Sequence, residues 1–89
     1  MPEYAVEFTA SADKSLRRLP VVAQQRIVRA IERLTHDPRP SGALKLAGAD
    51  NAWRVRVGDY RVLYEVLDGR LLVLVIRIGH RKDIYRKGP

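Results

Sequence analysis

Residues 53–64 read Trp53-Arg54-Val55-Arg56-Val57-Gly58-Asp59-Tyr60-Arg61-Val62-Leu63-Tyr64. Two runs that alternate apolar and polar residues are joined by Gly58-Asp59, the signature of two half-buried strands closed by a two-residue turn. Such a loop fixes the pairing: Val57 faces Tyr60, Arg56 faces Arg61, Val55 faces Val62, Arg54 faces Leu63 and Trp53 faces Tyr64. One side then carries Trp53, Val55, Val57, Tyr60, Val62 and Tyr64, an apolar face made to be covered. The other carries Arg54, Arg56 and Arg61. Like charges directly opposite each other on a ladder destabilise it, so Arg56 against Arg61 calls for a compensating anion, and a phosphate chain supplies one.

Outward from the hairpin, the rest of the chain supplies the cover. Glu3 to Phe8 alternates and reads as a first strand. Ser11 is suited to cap a helix running to about Leu19, with Asp13 in its first turn. Pro20 suits the first position of a second helix that runs to about His36, where Ala23, Ile27, Ala30, Ile31 and Leu34 form one apolar stripe. His36 at that helix end is assigned to the dipole rather than to chemistry. His36-Asp37-Pro38 ends it. Residues 39–51 form a connector anchored by Leu44-Lys45-Leu46, and Leu71 to Ile78 is the most apolar strand, hence central. A three-residue loop, Asp68-Gly69-Arg70, would pair Leu67 with Leu71 and Arg61 with Arg77. That register puts Val62, Tyr64, Val66, Leu72, Leu74, Ile76 and Ile78 toward the helices, and sets Leu63, Glu65, Val73 and Val75 among the arginines on the open face. Glu65 is then expected to pair with a neighbouring arginine. The expected fold class is α+β in the order β-α-α-β-β-β: an N-terminal strand and a helical hairpin on one face of a small, mainly antiparallel four-stranded sheet, with a short basic C-terminal segment.

At 89 residues the chain is expected to be a single domain, 1–89. It has no cysteine, hence no disulfide or thiolate zinc site, which suits a cytoplasmic protein. The N-terminus lacks a basic leader region, and the longest apolar run, Leu71 to Ile76, is too short to span a bilayer, so no membrane association is expected. Seventeen basic residues oppose ten acidic ones, a net charge of +7, and arginine outnumbers lysine. That balance favours a polyanionic partner, and arginine's planar fork favours nucleic acid among these, although a surplus of charge also serves solubility.

Glycine-rich phosphate loops, nucleophile elbows and metal-spaced carboxylate or histidine clusters are absent from the sequence, so neither cofactor nor metal is expected. What remains is an arginine-lined sheet followed by Gly79-His80-Arg81 and Ile84-Tyr85. This set fits RNA cleavage, in which guanidinium groups hold the scissile phosphate while the ribose 2′-hydroxyl attacks. His80 carries the imidazole best suited to acid or base work at neutral pH, or else orients the C-terminal segment. Arg77 and Lys45 are further candidates for contacting RNA. Tyr60 and Tyr64 share the parity of Trp53 and belong to the core.

Arg54-Val55-Arg56, Gly58-Asp59-Tyr60-Arg61-Val62-Leu63-Tyr64, Gly79-His80-Arg81 and Ile84-Tyr85, in that order and spacing, resemble the RelE toxins of the RelE/ParE toxin–antitoxin superfamily. The resemblance implies a ribosome-dependent endoribonuclease, an mRNA interferase that cuts the codon in the ribosomal A site to inhibit translation. It implies a cognate antitoxin as partner, the ribosome and mRNA as targets, and contact with operator DNA only through the antitoxin complex. Arg61 and Arg81 match the family's phosphate-contacting arginines, and Tyr85 its C-terminal tyrosine. Arg54 and Arg56 stand where well-known members carry lysines, and His80 where other members carry lysine. Arginine keeps the charge but is a poor proton acceptor. Two other readings stay open: a ParE-type toxin directed at gyrase, and a non-catalytic basic module that binds RNA or the ribosome.

Overall fold

The computed structural model describes residues 3–80. In chain order the elements are β1 (Ala5–Phe8), α1 (Ala10–Arg18), α2 (Val21–Leu34), β2 (Leu44–Lys45), β3 (Ala52–Val57), β4 (Tyr60–Leu67), a 3₁₀ turn (Asp68–Arg70) and β5 (Leu72–His80). The strands form one mixed sheet in the order β1-β5-β4-β3-β2, with β1 parallel to β5 and the other pairs antiparallel. The expected class holds, with one more strand than anticipated. The anchor at Leu44 and Lys45 pairs with Arg54 and Trp53 and becomes a short edge strand.

The β3–β4 hairpin has the register that its turn dictates, from Val57↔Tyr60 through Arg56↔Arg61 to Trp53↔Tyr64. Gly58 sits at φ 60° as the first central residue of the turn, the position that a II′ geometry reserves for glycine. The helices lie over the Trp53 side of the sheet. Ile27, Ile31 and Leu34 from α2 and Ala12 from α1 are buried with Val55, Val62, Tyr64, Val66, Val73, Val75 and Ile78. Tyr64 is 0% exposed, and its hydroxyl donates to the Pro38 carbonyl at 2.7 Å.

Helix α1 is capped by Thr9, whose hydroxyl oxygen accepts from the Ala12 amide, so Ser11 lies within the helix rather than at its cap. Pro20 is the residue before α2 and not its first; its fixed φ launches the helix without a side-chain cap.

The β4–β5 register departs from expectation. The connection is one residue longer than Asp68-Gly69-Arg70 because Leu71 closes it at φ 48°, in the left-handed region. Leu67 therefore pairs with Leu72, which brings Val73 and Val75 to the helix side and Leu72 and Leu74 to the other. Carried on unchanged, this parity would drive Arg77 into the core. A bulge prevents it: Tyr64 pairs with Val75 but Leu63 with Arg77, so Ile76 is the extra residue and Arg77 stays on the exposed side. The extra residue shifts every following side chain to the opposite face. Arg61 consequently faces Gly79 rather than Arg77.

At the far end of the sheet, Asp68 accepts from Tyr4 Oη and Arg39 Nη2, each at 2.6 Å. Arg39 in turn lies 5.7 Å from the Trp53 ring centroid. The Arg39 and Tyr4 hydrogen bonds hold the Asp68 carboxyl below its ordinary value. The same bond, seen from Tyr4, pushes its phenol up.

Candidate functional site

Residues opposite one another on adjacent strands share a face, so the register assigns each candidate to a side. One row across the open face reads Leu44, Arg54, Leu63, Arg77, and the next reads Arg56, Arg61, Gly79. Four arginines thus gather at the end of the sheet nearest the β3–β4 turn. Arg56 and Arg77 are exposed, while Arg54 and Arg61 are half-buried. Arg56 Nε donates to the Gly58 carbonyl at 3.3 Å, which ties its head to the turn. Strands lie about 4.8 Å apart and same-face rows about 7 Å apart, a spacing that suits successive phosphate groups of a nucleotide chain.

Beyond these rows the face changes character. Ala52, Glu65, Leu74 and Glu7 form the next row. Glu65 makes no ion pair among the described residues, contrary to the expected pairing with an arginine. Both carboxylates lie outside the arginine rows, so the charged side chains that the described strands contribute to these rows are all arginines.

Two candidates lie elsewhere. Lys45 pairs with Trp53, which puts it on the helix side at the sheet's edge and away from the arginines. His80 pairs with Tyr60, again on the helix side, and its ring meets that of Tyr60 edge-on, centroids 5.9 Å apart at 81°. Val73 and Val75, expected among the arginines, are core residues. Arg81 and Tyr85 lie outside the described residues.

Two features of the face were not anticipated. Leu44 joins the arginine row through β2, and Gly79 leaves the slot beside Arg61 without a side chain from β5. The first follows once Leu44-Lys45 is taken as a strand; the second depends on a bulge that local sequence does not announce. Among the described residues no group of His, Cys, Asp and Glu is placed to hold a metal ion. No helix among them is long and apolar enough to cross a membrane.

Residues 6–85 match the family described as ParE toxin of type II toxin-antitoxin system. The chain belongs to the RelE/ParE toxin superfamily. It is 36% identical to Toxin RelG of Mycobacterium tuberculosis over 88 residues, which covers 94% of this chain and 98% of RelG. It is 27% identical to the mRNA interferase toxin RelE of Escherichia coli K12 over 81 residues, or 89% of this chain and 84% of that one. Among solved structures, the archaeal RelE–RelB complex of Pyrococcus horikoshii OT3 superposes with a TM-score of 0.80 at 27% identity, covering 91% of this chain and 98% of its counterpart. The family's sheet and helical hairpin are therefore the frame on which the four arginines stand.

Proposed function

We propose that this chain is the toxin of a type II toxin–antitoxin pair, a metal-independent endoribonuclease that cuts mRNA in the ribosomal A site. The observation that carries the reading is the gathering of Arg54, Arg56, Arg61 and Arg77 on the face that the helices leave uncovered. A relative named mRNA interferase supports it. Arg61, beside the slot left by Gly79, holds the scissile phosphate; Arg56, Arg54 and Arg77 hold its neighbours.

In the reaction the ribose 2′-oxygen forms a bond to phosphorus and loses its proton, while the bond from phosphorus to the 5′-oxygen breaks and that oxygen gains a proton. Charge grows on the non-bridging oxygens between these events, and guanidinium groups already in place stabilise it. The four arginines supply charge and hydrogen-bond donors rather than proton transfer, because guanidinium is a poor proton acceptor. Arg81 and Tyr85 complete the site by the family resemblance, with Tyr85 stacking on the base or taking the proton. His80, on the Tyr60 side, orients the end of β5 and does not face the phosphate. Lys45 contributes to the general positive field.

The protein acts in the cytoplasm as a single domain, on the ribosome and its mRNA. A cognate antitoxin restrains it, in keeping with the RelE–RelB complex of the archaeal relative, and by the family resemblance operator DNA is met only through that pair. The ParE description of the matched family keeps a gyrase-directed toxin as the second reading. Purified protein assayed in parallel on ribosome-bound message and on gyrase separates them. Cut message with gyrase turnover unaffected is expected; inhibited gyrase with intact message would favour the second.

A further inference from the structure

Behind the arginine-bearing hairpin, on the helix side, lies an open cleft of about 330 Å³ lined by Pro20, Val22, Ala23, Arg26, Val57, Gly58, Asp59 and Tyr60. Half of its lining, Pro20, Val22, Ala23 and Val57, is aliphatic. Val22, which lines the cleft, is 68% exposed and its chain neighbour Val21 65%, although both begin a helix whose other face is packed into the core. Arg26 lies flat on the turn: a Cβ built on Gly58 would meet its Nη1 at 3.2 Å, Nη2 at 3.5 Å and Cζ at 3.6 Å. Among the described residues Arg26 makes no ion pair, Asp59 in the same cleft included. Arg29 and Arg33 continue its row along the exposed side of α2 at helical spacing.

The composition of this surface selects its occupant. Bare phosphate backbone would account for the arginines but leaves two exposed valines and the aliphatic half of the cleft unused. A peptide with an aliphatic side chain for the cleft and carboxylates for Arg26, Arg29 and Arg33 uses all of them. We infer that this cleft is the docking site for an acidic, aliphatic-bearing segment of the cognate antitoxin, which grips the β3–β4 hairpin from behind. The inference rests on the toxin–antitoxin reading above and adds where, and by what chemistry, the partner is held. Its consequence is control without competition for the phosphate face. Val57, Gly58, Asp59 and Tyr60 lie between Arg56 and Arg61, so a segment seated in the cleft braces the turn that sets the spacing of those two guanidinium groups.

The test pairs the full chain with the protein encoded by the adjoining reading frame, comparing wild type with Val22→Asp/Arg26→Glu. Both side chains are exposed, so the fold should survive, and circular dichroism checks that it does. The expected result is at least tenfold weaker binding by calorimetry, with RNA cleavage by the unbound variant within about twofold of wild type. In the wild-type complex, amide signals of Val22, Ala23 and Gly58 should shift on binding. Unchanged affinity of the variant, where wild type binds, would overturn the docking site while leaving the toxin–antitoxin reading intact. Absence of wild-type binding would overturn both. Lost cleavage with retained binding would assign the cleft to RNA and overturn the inference.

Discussion

The Thr9 hydroxyl donates to the carbonyl of Ile76 at 3.1 Å, while its oxygen also accepts from the Ala12 amide. One side chain therefore starts α1 and ties down the bulge that turns Arg77 away from the core. Thr9→Val removes both bonds with little change in shape. The expected loss is about 1–2 kcal/mol, read from urea denaturation, with Thr9→Ser restoring most of it.

Leu71 is the described non-glycine residue with positive φ, at 48°. A side chain there carries a backbone penalty of about 1–2 kcal/mol that glycine avoids, and at 39% exposure Leu71 has limited burial to lose. Leu71→Gly is therefore expected to raise stability by roughly 0.5 kcal/mol, after the greater unfolded-state freedom of glycine is subtracted. A lower urea midpoint would show that the exposed leucine contributes more than its conformation costs.

Burial pushes the Tyr64 phenol up from 10.0 to about 12. A group raised on folding stabilises fully below its unfolded pKa, and that contribution fades as pH climbs from the unfolded to the folded value. Stability should therefore fall between about pH 10 and 12, by on the order of 2 kcal/mol. Tyr64→Phe should flatten that limb. Asp68 gives the opposite sign: its folded pKa is depressed, so its contribution is present above the ordinary value near 3.8 and is lost as pH drops through the lower one. Asp68→Asn should flatten the acid limb.

Arg56 stands opposite Arg61 across the ladder, an arrangement that costs stability by a few tenths of a kcal/mol. Arg56→Gln should leave the protein equally stable or slightly more so. The same change should weaken RNA binding and reduce the slope of log affinity against log salt by about one. A destabilised variant with unchanged RNA affinity would mean that the pair serves the fold.

The sequence was most legible where geometry leaves no freedom. A two-residue loop at Gly58-Asp59 admits one register, so each pair from Val57↔Tyr60 to Trp53↔Tyr64 follows from counting. The connection to β5 was less legible because two irregularities act together. Leu71 takes a conformation more natural to the nearby Gly69, and Ile76 adds a bulge that reverses parity midway. Each moves side chains to the opposite face, which is why Val73 and Val75 are core while Arg77 stays exposed. His80 follows from the same shift: the bulge sends Gly79 to the Arg61 side and His80 to Tyr60. The cleft behind the hairpin joins residues more than thirty positions apart, and only the packing of α2 against the turn reveals it.

Primer extension on ribosome-bound mRNA, comparing the wild type with Arg61→Ala, tests the central claim most directly. The account predicts discrete stops within A-site codons for the wild type and at least a hundredfold slower cutting by the variant. Intact message with folded wild-type protein, or equal cutting by both, would contradict it.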